Sequence, residues 1–145
     1  VRHRSFSFQE FSQRYADPEA QGDMFEYSEA RLQDPKNRQN SIEVEDKDLQ
    51  SAWDRRQQEV ADIAKENYDW AIEQGIAKEQ ARKVLPEGLT KTTLYMNGTL
   101  RSWIHYIDLR GANGTQKEHM EIARLCAEVI AKIFPMTNEL TYSSP

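Results

Sequence analysis

Within the first fourteen residues stand Arg2, His3, Arg4 and Arg14, together with Glu10 and the serines Ser5, Ser7 and Ser12. They are interleaved with Phe6, Phe8 and Phe11. Arginine presents a planar fork of donors that matches phosphate or carboxylate. Histidine can donate to a phosphate or a ring heteroatom, and serine can donate or accept. Glu10 can accept from ribose hydroxyls or from an imide nitrogen. The chemistry such a set invites is anion recognition. The plainer alternative is that the arginines pair with local acids and the phenylalanines are core.

Those groups need a stiff element beneath them. The Ser-Phe-Ser-Phe alternation reads as a short strand with one apolar face, and Gln9 to Ser12 as the turn or loop after it. Such a strand would carry Arg-His-Arg toward a loop of hydroxyl and carboxylate groups.

The chain has 145 residues, 38% hydrophobic and 30% charged, which suits one soluble domain able to bury a core. Its mean hydropathy of −0.85 is polar for that class. A net charge of −5 argues against a nucleic-acid polymer as partner, which would call for a basic face. A local cationic cluster in an acidic protein points instead to a small anionic ligand. The single cysteine, Cys126, excludes an intrachain disulfide framework and fits a reducing compartment, so a cytoplasmic protein is expected. No apolar run approaches the roughly 18 residues of a membrane span. The chain starts inside a motif and without methionine, as expected of a fragment that lacks an N-terminal part.

Tyr15 to Ser41 reads as irregular, with Arg31–Asn40 an exposed polar loop that skirts the ligand site. Asp46 to Gln74 is the clearest helix: Leu49, Trp53, Val60, Ile63, Ala64, Tyr68, Ala71 and Ile72 recur at helical spacing, and Gly75 can close it. Its aromatic residues read as packing. Lys78 to Leu85 forms a short helix stopped by Pro86, with Arg82 on it. Leu89 to Met96 is β-prone. Thr99 can cap a third helix running to about Leu109, with Leu100, Trp103, Ile104 and Ile107 as its apolar stripe. Arg101, His105 and Asp108 share a second face of that helix. Such a basic pair can meet a ligand's phosphates, or be an ordinary polar face. Arg110 stands at the helix end. Thr115 with Glu118 reads as a capping box for a last helix bearing Ile122, Leu125, Cys126, Val129, Ile130 and Ile133. Cys126 on that stripe reads as core. No Cys/His cluster has metal-ligand spacing.

The spacing of the first motif resembles the signature of the flavin-dependent thymidylate synthases. Arg2-His3-Arg4, seven residues and Ser12 form their R-H-R-x7-S, and Ser7, Glu10 and Arg14 match its longer pattern. Gln9 replaces a frequent asparagine. Ala81-Arg82-Lys83-Val84-Leu85-Pro86 resembles the A-R-x-V-L-P element of that family. Arg101-Ser102 through Leu109-Arg110 resembles its R-S-x6-L-R helix, and Thr115-Gln116-Lys117-Glu118 its A-Q-x-E element. Two departures are Thr99, where many relatives carry asparagine, and Gly114, where many carry histidine.

The resemblance implies a helix-rich α+β fold with a small sheet, the thymidylate synthase-complementing-protein-like fold, of which residues 1–145 would be the C-terminal part of one domain. The strands at Phe6 and over Leu89–Met96 would belong to a sheet completed by the missing segment. It implies synthesis of dTMP from dUMP, with FAD as cofactor and NADPH and methylenetetrahydrofolate as co-substrates. It further implies a homotetramer with shared active sites, without a membrane partner. Arg2, His3 and Arg4 would face FAD, with Arg2 also near dUMP. Glu10, Phe11, Ser12, Gln13 and Arg14 would form the dUMP loop, with Glu10 also touching the flavin. Arg82 would be a further anion partner of the nucleotide. Thr99, Leu100, Arg101 and His105 would contact flavin. Arg110 would sit at the uracil edge, and Ser12 would be a positioning hydroxyl in the catalytic set. Two other readings are a non-catalytic nucleotide-phosphate binding module of the same fold, and a helical interaction domain whose Arg-His-Arg start is structural.

Overall fold

The computed structural model describes residues 5–12, 22–112 and 115–135. Arg2, His3, Arg4, Gln13, Arg14 and Gly114 lie outside them. The elements are β1 (Phe6–Glu10), β2 (Arg31–Gln33), β3 (Ser41–Glu43), α1 (Lys47–Glu73), α2 (Lys78–Ala81), a 3-10 turn (Arg82–Val84), β4 (Leu94–Gly98), α3 (Leu100–Gly111) and α4 (Lys117–Ala131). The described elements form a helix-rich α+β fold. β1 pairs with β4, and β2 pairs with β3. Contacts divide the chain into two compact units: residues 1–8, 31–43 and 96–145 form one, and residues 9–30 and 44–95 the other. No described helix is long and apolar enough to cross a membrane.

In the unit of residues 9–30 and 44–95, α1 begins where Asp46 Oδ1 accepts from the amides of Asp48 (2.9 Å) and Leu49 (3.1 Å). It ends at Gly75, whose φ of 74° lies in the left-handed region. There the Gly75 amide donates to Ile72 and the Ile76 amide to Ala71, a Schellman-type closure. Ala61, Ala64, Tyr68 and Ala71 face the core with Met24, Phe25 and Ala81, backed by Leu85 and Leu89. Of the expected stripe, Ile72 also packs against this core, but Leu49, Val60 and Ile63 are exposed, as are Trp53 and Trp70. Small alanines bring the neighbouring backbone close, and the bulkier face of the helix stays uncovered in the single chain.

The segment before β2 has no ladder of its own. Gln57, 3% exposed, accepts from the Ser28 amide and donates to the Ser28 carbonyl, both at 2.9 Å. Gln50 accepts from the Ala30 amide at 2.8 Å. Two side-chain amides of α1 thus satisfy main-chain groups that a sheet partner would otherwise hold. Phe25 and Thr90 form an antiparallel bridge, flanked by Glu26 N to Leu89 O (2.8 Å) and Lys91 N to Met24 O (2.9 Å).

In the unit of residues 1–8, 31–43 and 96–145, the core joins Phe6, Tyr106, Ile107, Ala123 and Ala127, with Phe8, Met96, Trp103, Cys126 and Ile130 against it. Phe6 lies edge-on to Trp103 with ring centres 4.9 Å apart. Its ring also fixes the glycine at position 98: a Cβ there would come within 2.5 Å of Phe6 Cδ1. Cys126 packs against this core as the sequence suggests, and burial pushes its thiol pKa up.

Four sequence expectations change. Arg31–Asn40, read as a loop, is a hairpin with Arg31 opposite Glu43 and Leu32 opposite Ile42. Asp34 shapes its turn by accepting from the amides of Lys36 and Asn37 and the side chain of Asn40. The second strand lies at Leu94–Gly98 instead of Leu89–Met96, because only that stretch lies against β1. The capping box at Thr115 does not form. Gln116 is the N-cap of α4 without a side-chain bond, and Glu118 pairs with Arg31 instead. On α4 the buried residues are Ala123 and Ala127, while Ile122, Leu125 and Val129 are exposed, as is Ile133 just beyond the helix.

Candidate functional site

β1 ends at Glu10, and its last turn of chain is held in place by the Phe11 amide, which donates to Thr93 O at 2.9 Å. That bond keeps Phe11 and Ser12 exposed beside the strand end. Seventy residues later, Ala81 is buried against α1 and Leu85 packs on the same core. The two anchors leave the intervening 3-10 turn to face outward, so Arg82 and Lys83 are exposed. Pro86 O then accepts from both the amide (3.0 Å) and the hydroxyl (2.7 Å) of Thr90, which fixes the return of the chain.

These two segments line one cavity of about 680 Å³. Glu10, Phe11, Ser12 and Arg82 share it with Lys83 and Glu87. A volume of that size suits a mononucleotide-sized ligand. Neither the Arg82 nor the Lys83 side chain has a hydrogen-bond or ion-pair partner among the described residues. Two adjacent, uncompensated guanidinium and ammonium groups favour an anion. Glu10–Ser12 also borders a smaller cavity of about 380 Å³ with Gln9, Thr93 and the exposed Tyr95.

The other expected residues stand on α3, in the unit of residues 1–8, 31–43 and 96–145. Thr99 caps that helix: its hydroxyl accepts from the Ser102 amide at 3.3 Å and lies 3.0 Å from Ser102 Oγ. Leu100, Arg101 and His105 are exposed, and Arg101 and His105 lie one turn apart as their spacing implies. A recess of about 370 Å³ before the helix is lined by Ser5, Ser7, Asn97 and Thr99 among others. Arg110 lies in the last turn and is half-buried. Its Nε is buried without a hydrogen-bond partner among the described residues. Its charge reaches Tyr106, one turn back. Burial, with a further push from Cys126, raises the Tyr106 phenol, and Arg110 opposes that rise. Among the described residues, no group of three or more His, Cys, Asp and Glu is arranged to hold a metal ion.

The sequence alone does not single out Lys83 and Glu87. Their only signal is adjacency to Arg82 and Pro86. Exposed charges one residue from a motif look like ordinary surface until the cavity is known.

Residues 1–136 match the family described as Thymidylate synthase complementing protein. The chain is similar to the probable flavin-dependent thymidylate synthase of Paramecium bursaria Chlorella virus 1, at 50% identity over 135 residues, covering 93% of this chain and 61% of that protein. A flavin-dependent thymidylate synthase of Synechocystis sp. is 47% identical over 135 residues, covering 93% and 60%. The chain thus spans about 60% of the length of these curated relatives. Among solved structures, a UMP/dUMP methylase, PolB from Streptomyces cacaoi bound with 5-Br UMP, superposes with a TM-score of 0.74 at 27% identity, covering 96% of this chain and 64% of that one.

Proposed function

The chain belongs to the thymidylate synthase complementing protein family, and from that membership we propose that the whole protein is a flavin-dependent thymidylate synthase, converting dUMP to dTMP. Methylenetetrahydrofolate would donate the carbon, and NADPH would reduce the FAD. The observation that carries this reading is the shared cavity. Glu10, Phe11 and Ser12 belong to one matched motif and Arg82 to another, and both motifs line it.

Within that cavity Arg82 supplies charge to the nucleotide phosphate. Glu10 accepts from a sugar hydroxyl or the imide, and Ser12 orients the ligand with its hydroxyl. Gln13 and Arg14 complete the nucleotide loop by resemblance. The flavin residues fit their group in chemistry: the recess at Ser5, Ser7 and Asn97 offers polar groups, and Arg101 and His105 offer exposed donors on the adjoining helix. Thr99 and Leu100, with Arg2, His3 and Arg4, complete that set by resemblance. When bound, the flavin supplies the hydride that reduces the transferred carbon to a methyl group.

A uracil ring is a poor carbon nucleophile. Negative charge on its N3–C4–O4 system must be stabilised before C5 can attack. Arg110 is suited to this, because a guanidinium stabilises the charge without accepting a proton. Its buried, unpartnered Nε supports a role toward a ligand. The other chemistry for this product adds a cysteine thiolate to the ring. Cys126 is a poor candidate for that, since burial favours its neutral thiol.

The proposal extends to a homotetramer with shared sites in the cytoplasm, with residues 1–145 as part of one longer domain. Its physical support is the set of exposed apolar residues Ile122, Leu125 and Val129 on α4 and Ile133 just beyond it. The deciding measurement is a visible absorption spectrum of the complete protein, with and without dUMP. Flavin bands that shift on adding dUMP are expected. A protein that takes up no FAD would refute the reading.

A further inference from the structure

We propose that Lys83 is a second phosphate-binding cation, which with Arg82 makes the cavity selective for a nucleoside monophosphate carrying a dianionic phosphate. The inference rests on the nucleotide reading of that cavity and names a residue the family resemblance leaves unassigned: Lys83 occupies the variable position of A-R-x-V-L-P.

Arg82 and Lys83 stand in a 3-10 turn that follows the buried Ala81 and precedes the half-buried Leu85. Both cations line the same cavity. The protein carries 24 acidic residues against 19 lysines and arginines, and several cations elsewhere find carboxylates. Lys65 reaches Asp69, Lys91 reaches Glu26 and Lys117 reaches Glu43. Among the described residues Lys83 reaches none, although Glu10 and Glu87 line the same cavity. An ammonium in a walled cavity, beside a guanidinium and unneutralised by the acids there, is placed for an external anion.

Chemistry then sets the class of anion. A phosphate monoester loses its second proton near pH 6 and carries close to two charges at neutral pH. A guanidinium can hold two oxygens in its fork, and a point charge can take the third. A nucleoside or a singly charged diester offers less to the second cation.

The test is direct binding of dUMP and of deoxyuridine to the intact, flavin-loaded protein, for the parent, Lys83→Ala, Lys83→Arg and Arg82→Ala. Lys83→Ala is expected to weaken dUMP about tenfold at pH 8, Lys83→Arg to restore most of it, and deoxyuridine affinity to stay unchanged. The loss should shrink as pH falls below about 6, where the phosphate becomes a monoanion. Unaltered dUMP affinity in Lys83→Ala, alongside weakened binding in Arg82→Ala, would overturn the role of Lys83 and leave the nucleotide cavity standing. A parent protein that binds FAD but no dUMP would overturn both.

Discussion

Arg31 and Lys117 each meet a carboxylate, whereas Arg82 and Lys83 meet none among the described residues. The first pair closes a ring of alternating charge. Arg31 stands opposite Glu43 across the hairpin, Arg31 pairs with Glu118, and Lys117 pairs with Glu43 at 2.7 Å. That ring ties β2 and β3 to the first turn of α4. Both sets are built from the same residue types in the same acidic chain. What separates them is whether the fold supplies the counter-charge. Where it does, the cations hold elements together. Where a cavity stands in its place, the cations are available to a ligand.

The contrast is most sharply tested at Arg110, which sides with the unpaired set through its buried Nε. Arg110→Ala is expected to lower turnover by roughly a hundredfold or more, about 3 kcal/mol of transition-state stabilisation, with little change in melting temperature. Steady-state kinetics beside a thermal melt checks this. A large loss of stability with unchanged turnover would move Arg110 to the structural set.

Arg31→Ala should do the reverse. It leaves the half-exposed Glu118 without its partner and should cost about 1–2 kcal/mol of folding stability, with dUMP affinity unchanged. Chemical denaturation and a binding isotherm on the same sample separate the two effects.

The smallest expected effect is at Glu43. Lys117, by hydrogen bond and by charge, holds its carboxyl below the ordinary glutamate value of 4.5. A lowered folded pKa means the stabilisation is present above that value and disappears as pH falls through the folded one. The melting temperature of the parent should therefore fall more steeply than that of Glu43→Gln between about pH 5 and about pH 3. Parallel curves would remove Glu43 from the ring's energetics.

What the sequence makes legible follows the range of the interaction. α1 is readable from Asp46 to Gly75 because its period, cap and stop are all local. The exposed face of α3 is readable for the same reason. The hairpin is not, because each strand has three residues and its apolar pair, Leu32 and Ile42, remains exposed. The capping box fails because Glu118 finds Arg31, 87 positions away. At the candidate site, residue types suggest an anion, and the matched motifs single out Glu10, Phe11, Ser12 and Arg82. Only the fold brings in Lys83 and Glu87, since no local pattern joins the end of β1 to a turn seventy residues later.

The split of the two cores along the chain has a kinetic consequence. The alanine, Tyr68 and Phe25 core draws on residues from Met24 to Leu89, so its parts exist well before synthesis of the chain is finished. Phe6 must wait for Ala123 and Ala127. At ribosomal speed that delay is on the order of ten seconds, far longer than a small unit takes to collapse. β1 is thus expected to be buried only after the Met24–Leu89 core has formed. Its alternation of serine with phenylalanine then serves a second purpose, keeping one face of the waiting strand compatible with water while the other has nothing yet to cover it.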